Sequence, residues 1–129
     1  MPLVVRAFPV RKSVQDLAAF AAELKVRREA AGGFYRSFGV SHESWYLQQT
    51  PAGPWVIVVN AVDDPGESAP RYARSNQEFD RWFKSQVLDL TGVDADKDPL
   101  GPPTSLVYEW SDELRGEAAE LKRTLAAAT

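Results

Sequence analysis

The most constraining feature of this chain is the run 55–62, which reads WVIVVNAV. Its β-branched residues favour a strand, and the turn-forming sequence DDPG follows it directly. Asn60 is its only polar residue, so both faces of the strand are apolar. Because an apolar sheet face is not stable in water, the fold must cover this strand on both sides.

The segment 40–49 has the composition of a second strand, and the residues TPAGP between the two segments are typical of a turn. Together they predict a β-hairpin. With a five-residue turn, Gln49 lies opposite Trp55, and the face that carries Glu43, Trp45 and Leu47 is expected under the helices. The other face then carries a polar cluster that consists of His42, Ser44, Tyr46, Gln48 and Asn60.

The sequence before the hairpin predicts a strand at 3–10 and an amphipathic helix. Ser13 is a candidate N-cap, with Asp16 at the capping-box position. The pair Gly32-Gly33 is expected to end this helix, and a further helical turn before Gly39 is compatible with the sequence.

The sequence after the hairpin predicts a second helix, which starts at the N-cap Ser75 with Glu78 at the capping-box position and ends at Gly92. Residues 71–74 are compatible with a short preceding turn of helix. The apolar stripe of the second helix consists of Phe79, Trp82, Phe83, Val87 and Leu90.

The remaining segments predict a last strand at 104–110 and a polar terminal helix at 112–128. The resulting order β-α-β-β-α-β is that of a ferredoxin-like α+β sandwich. We therefore predict one α+β domain over residues 1–110 and a C-terminal helical extension over 111–129, which suits a chain of 129 residues.

This arrangement places both helices on one face of the sheet and leaves the other face uncovered. Since the strand 55–62 is apolar on both faces, a second copy of the chain is the simplest cover. We expect a homodimer in which two sheets pack face to face.

Three segments, ESWYLQQTP at 43–51, DDP at 63–65 and FDRWF at 79–83, resemble the dimeric α+β barrel superfamily. That superfamily includes the antibiotic-biosynthesis monooxygenases and the haem-degrading monooxygenases, and the resemblance is closer to a bacterial family of this fold without an assigned activity. The resemblance covers roughly residues 3–110. It implies the fold and a dimer, and it is compatible with cofactor-independent monooxygenase-like or isomerase-like chemistry, but a fold alone does not fix an activity.

The chain has one histidine, His42, and no cysteine. Cysteine-ligated zinc sites, zinc sites with several histidines, iron–sulfur clusters and thiol nucleophiles therefore lack the residues they require, and we expect neither a metal nor a cofactor. Haem-degrading members of the superfamily carry their axial histidine on a helix, whereas His42 lies at the start of a predicted strand. His42 is then either an exposed strand-end residue or an acid–base group.

In a cofactor-independent enzyme, a base ionises the substrate and hydrogen-bond donors hold the resulting anion. His42 and Glu43 are the candidate catalytic residues. The alternative is that the same polar residues form hydrogen bonds in a dimer interface. The enzyme hypothesis also predicts a closed pocket of at least ~300 Å³ between the helices and the sheet. The candidate ligand-binding residues are Arg6, Ser44, Tyr46, Gln48 and Asn60.

Arg6 interrupts an apolar strand, and a cation inside a sheet needs a partner. Glu109 in the last predicted strand is an available carboxylate, so we expect either a salt bridge between Arg6 and Glu109 or an arginine that binds an anion.

The net charge of −3 does not favour a nucleic-acid partner. No stretch approaches the ~20 apolar residues that span a bilayer, so no membrane partner is expected. The first residues, MPLVV, lack the features of a secretion signal, so we expect a cytoplasmic protein.

These observations leave two hypotheses for the function. The first is a protein that binds a small apolar or aromatic molecule and, if it is an enzyme, converts it. The second is a non-catalytic dimeric binding or structural module.

Overall fold

The computed structural model describes residues 2–112, which form an α+β fold with a three-stranded antiparallel sheet and four helices. The strand order in the sheet is β1-β3-β2. The elements in chain order are β1 (Leu3–Pro9), α1 (Val14–Val26), α2 (Arg28–Ser37), β2 (Val40–Thr50), β3 (Gly53–Val62), α3 (Pro65–Arg74) and α4 (Glu78–Thr91).

The predicted hairpin forms, but its register differs from the prediction by one residue. Thr50 pairs with Gly53, so the turn consists of two residues rather than five. The Thr50 side chain closes this turn, since its Oγ1 donates to the carbonyl of Gly53 at 2.7 Å and accepts from the amide of Ala52 at 3.1 Å. Gln48 therefore lies opposite Trp55, the position predicted for Gln49.

This register changes which residues share a face. The inner face, under the helices, carries Glu43 and Trp45 as predicted, but these residues pair with Asn60 and Val58. Asn60 is thus separated from the predicted polar cluster and joins Glu43. The open face carries His42, Ser44, Tyr46 and Gln48, paired in that order with Ala61, Val59, Ile57 and Trp55.

The first helix begins as predicted. The Ser13 hydroxyl accepts from the amide of Asp16 at 3.1 Å, and the Asp16 carboxylate accepts from the amide of Ser13 at 3.2 Å, which completes a capping box. Its predicted end at Gly32-Gly33 is wrong, because α1 ends at Val26 and α2 continues through both glycines. The α2 helix ends before Gly39, whose φ of 82° is the left-handed conformation that favours glycine.

The second predicted helix corresponds to α4, and a further helix, α3, forms before it, where only residues 71–74 were considered helical. The α3 helix starts with Asp64 as N-cap and Pro65 in its first turn, so the segment predicted as a strand-closing turn is also a helix start. The predicted N-cap Ser75 lies at the end of α3. The N-cap of α4 is Gln77, with Asp80 at the capping-box position, and α4 ends at Gly92 as predicted.

An aromatic cluster joins the helices to the inner face of the sheet. Phe83 of α4 is its centre and is only 3% exposed. Ring pairs at centroid distances of 4.8–6.5 Å link Phe83 to rings from α1, α2, α3, α4 and β2. These rings belong to Phe20, Phe34, Tyr35, Trp45, Tyr72 and Phe79.

The strand predicted at 104–110 is not formed, because these residues pair with no strand in the structure. The segment starts beside the outer edge of β1, where the Thr104 hydroxyl donates to the carbonyl of Val5 at 2.6 Å. Beyond this point its side chains are exposed, with Val107 at 92%. The predicted terminal helix falls almost entirely on residues 113–129, which lie outside the described residues.

Candidate functional site

Glu43 is the centre of a polar network on the inner face of the sheet. Its carboxylate accepts hydrogen bonds from Asn60 Nδ2 on β3 and, at 3.0 Å, from Trp45 Nε1 on β2. The Tyr35 hydroxyl on α2 is a third partner. The register of the hairpin places Asn60 directly opposite Glu43, which allows the amide to reach the carboxylate.

The Glu43 carboxyl lies deep among protein atoms, although the residue as a whole is only half-buried. Burial raises the pKa of Glu43, because the charged form loses its hydration, and its three hydrogen bonds lower the pKa only in part. Burial also raises the pKa values of Tyr35 and Tyr72, and the Glu43 charge adds to both shifts. Burial therefore favours the protonated, uncharged forms of both Glu43 and Tyr35.

Glu43 borders a pocket of about 50 Å³ between the sheet and the helices, which we call the interior pocket. It is much smaller than the closed pocket of at least ~300 Å³ expected for an enzyme, because the aromatic cluster fills most of that space. The polar residues that line the interior pocket are Arg6, Glu43, Asn60, Ser68, Tyr72 and Thr91.

Arg6 reaches the interior pocket from β1, on the opposite side of β3 from Glu43. Its Nη1 donates to the carbonyl of Val5 at 3.1 Å, but its buried Nε has no hydrogen-bond partner among residues 2–112. Burial lowers the pKa of Arg6, and the charge of Asp98 opposes this shift. The predicted salt bridge to Glu109 is not formed, because Glu109 lies in the exposed segment after the sheet.

Ser68 on α3 is a site residue that the sequence did not predict. It is 1% exposed, and its Oγ has no partner within the described part of the chain. Ser68 was not among the predicted site residues because 65–74 was not predicted as a full helix. The capping signal of Asp64 followed by Pro65 would have identified that helix and shown that Ser68 lies on its first turn.

The other predicted site residues lie away from the interior pocket. His42, Ser44, Tyr46 and Gln48 are on the open face, and His42 Nε2 lies 2.7 Å from the Ser44 hydroxyl. Of the seven predicted residues, the structure brings Arg6, Glu43 and Asn60 to the interior pocket. Glu43 and His42 do not act together there, because adjacent residues of a strand point to opposite faces.

An open groove of about 1300 Å³ runs between β2 and the helices α1 and α2. Three residues, Val40, Glu43 and Trp45, line both this groove and the interior pocket. The Glu43–Trp45 pair therefore forms a wall between the two spaces.

Residues 2–112 contain no group of three or more side chains able to hold a metal ion. None of the helices formed by these residues has the length and apolar character needed to cross a membrane. A comparison of the chain with protein-family models, with curated proteins and with solved structures found no match.

Proposed function

We propose that this protein binds a small, mainly apolar molecule in the interior pocket, with Glu43 as its polar contact. The observation that carries the proposal is the buried Glu43 carboxyl beside a pocket whose walls are mostly aliphatic and aromatic. Pockets of this composition, with a few polar groups at fixed positions, are typical of small-molecule sites. The pocket extends to the partly exposed Val4, Pro99 and Leu100, so the body of a ligand can reach toward these residues.

Proton transfer is the chemistry that Glu43 can supply. A carboxyl with a raised pKa takes up or releases a proton nearer to neutral pH than an exposed one does. Isomerase-like or monooxygenase-like conversion without a cofactor would use Glu43 as the base and Arg6 and Asn60 as donors to the resulting anion. The interior pocket of about 50 Å³ is smaller than the at least ~300 Å³ expected for an enzyme, so binding rather than conversion is the function that we propose. His42, the other candidate base, lies on the open face and has no place in this scheme.

We expect at least one neutral apolar probe, from a series that runs from butanol through phenol to indole, to raise the midpoint of thermal unfolding in a saturable manner. Glu43→Gln should weaken the affinity for that probe by up to about tenfold, since a hydrogen bond between neutral groups contributes about 0.5–1.5 kcal/mol. Ser44→Ala, on the open face, is the matched control and should bind as the wild type does. Absence of a shift with every probe, or equal binding by Glu43→Gln, would contradict the proposal.

The second candidate function, a homodimeric module, is favoured by the uncovered face of the sheet. Within the described residues no helix covers this face, and its β1 and β3 positions are apolar: Leu3, Val5, Ala7, Trp55, Ile57, Val59 and Ala61. Leu106, Tyr108 and Trp110, in the segment that starts beside β1, add exposed apolar surface. We propose that two sheets pack face to face and that 104–110 then pairs with β1, which would complete the ferredoxin-like βαββαβ arrangement in a dimeric α+β barrel.

Sedimentation at micromolar concentration should show a species of about twice the chain mass of 14.3 kDa. Ile57→Asp should convert it to the monomer, because a charge at the centre of an apolar interface is left without hydration or a partner. Leu88→Asp, at an exposed position on α4, should leave the dimer intact. A wild-type protein that sediments as a monomer would exclude this second candidate.

A further inference from the structure

We propose that the interior pocket recognises the carboxylate of its ligand through Arg6 and Ser68. This inference rests on the proposed function and adds the chemical class of the ligand, a small aliphatic carboxylic acid. Arg6 Nε and Ser68 Oγ are the buried side-chain polar atoms that have no hydrogen-bond partner within residues 2–112, and both residues line the interior pocket.

The Arg6 guanidinium is a partly buried cation without a counter-ion in contact. No carboxylate of the described residues lies within 4.0 Å of it, and burial is the main influence on its pKa. A desolvated cation is costly unless an anion or several acceptors surround it. A ligand carboxylate would accept from Nε and place a negative charge in contact with Arg6, whereas Asp98 acts on Arg6 only from beyond 4.0 Å.

The Ser68 hydroxyl differs from those of the other serines and threonines in the helices α1 to α4. A serine or threonine inside a helix usually donates to a carbonyl three or four residues earlier, as Thr91 does to Val87 and Ser85 to Trp82. Ser68 makes no such bond although Asp64 is four residues earlier. Its hydroxyl is therefore available as a donor to a group in the interior pocket.

Size and charge together favour a carboxylate over a larger or neutral group. The interior pocket of about 50 Å³ holds roughly three to five non-hydrogen atoms, if each needs the 10–15 Å³ that one water needs, and the rest of a larger ligand would reach toward Val4, Pro99 and Leu100. A carboxylate and its α-carbon have this size. Glu43 does not neutralise Arg6, because the central strand β3 separates their strands and the Glu43 carboxyl is already bonded to Tyr35, Trp45 and Asn60.

The test is a calorimetric titration of the full chain at constant ionic strength with propanoate and with its neutral analogues propanamide and propan-1-ol. We expect saturable binding of propanoate and at least tenfold weaker binding of both analogues. Equal affinity for propanamide would overturn the inference in favour of a carbonyl ligand. If butanol, phenol or indole binds and propanoate does not, this inference fails and the proposed function stands, whereas binding of none of these probes overturns both.

Variants separate a ligand contact from a structural role. Ser68→Ala should weaken propanoate binding about tenfold and leave the unfolding midpoint unchanged or higher, because it removes a buried hydroxyl that has no partner. Ser85→Ala, an exposed helical serine, is the matched control and should leave both values unchanged. Arg6→Gln should abolish propanoate binding. If the Arg6→Gln variant does not fold, the propanoate affinity of Ser68→Ala decides between a ligand contact and a structural role. Wild-type propanoate affinity in Ser68→Ala would overturn the inference.

Discussion

Phe83→Ala should lower the free energy of unfolding by about 3–5 kcal/mol, which is the usual cost of truncating a buried phenylalanine. Phe83 is buried at the junction of four helices and the sheet, and it contacts six other rings. Its removal leaves a cavity that the rigid neighbouring rings cannot close. Urea unfolding at 25 °C, followed by tryptophan fluorescence and by circular dichroism, measures the loss.

Leu88→Ala is the control for this prediction, because Leu88 lies on the same helix and is 44% exposed. Leu88→Ala should lower the free energy of unfolding by less than about 1 kcal/mol. Phe83→Leu keeps most of the side-chain volume, so its loss of unfolding free energy should lie between those of Phe83→Ala and Leu88→Ala. Phe83→Leu takes the place of Phe83→Ala in this test if Phe83→Ala does not fold. A loss for Phe83→Ala no greater than that for Leu88→Ala would show that the aromatic cluster is not the core of the fold.

The stability advantage of the wild type over Glu43→Gln should decrease as the pH rises above about 4.5, the ordinary pKa of a glutamate. The folded-state pKa of Glu43 is raised, so its contribution is fully present below the unfolded pKa and is lost as the pH rises through the folded pKa. Between the unfolded-state pKa and the folded-state pKa, the difference in unfolding free energy should fall by about 1.4 kcal/mol per pH unit. Above the folded-state pKa the difference is constant.

Urea unfolding of both proteins at intervals from pH 4 to pH 9 measures this difference. Taking the difference removes the contributions of groups that both proteins share, such as Asp16, whose hydrogen bonds to Ser13 lower its pKa. Glu23→Gln, on the exposed surface of α1, should follow the wild-type profile through the same range. A constant difference between wild type and Glu43→Gln over this range would contradict a carboxyl withdrawn from water.

Features set by neighbouring residues were predictable from the sequence. The three strands of the sheet follow from runs of β-branched and aromatic residues, and the start of α1 follows from Ser13 and Asp16. The end of α4 at Gly92 follows from the left-handed conformation that a glycine adopts there. In each case the signal lies within a few residues of the feature it determines.

The composition of the site depends on one turn, which local signals did not determine. The segment TPAGP is compatible with several turn lengths, and the Thr50 side chain stabilises the two-residue turn. A shift of one residue moves Asn60 from the open face to the inner face, where it meets Glu43. Arg6, Glu43 and Asn60 were therefore predictable as candidate residues, but their meeting at one pocket was not.

The boundary between α1 and α2, which was predicted wrongly, has a tertiary cause. Arg27, between α1 and α2, lies over the rings of Phe79 and Trp82 at 4.9 Å and forms an ion pair with Glu78 at 2.6 Å. These contacts hold the junction of the two helices against α4. They join residues about 50 positions apart, so a pattern of adjacent residues does not contain them.

The position of β1 has a consequence for the order of folding. The β2–β3 hairpin joins residues that are close in the chain, whereas β1 pairs with β3 across 46 to 58 positions. Closing the longer loop costs more entropy, so β1 is expected to dock late, onto a hairpin that has already formed. Arg6 arrives only with β1, so the interior pocket is complete in the fully folded chain alone, and a ligand bound there would slow the release of this strand.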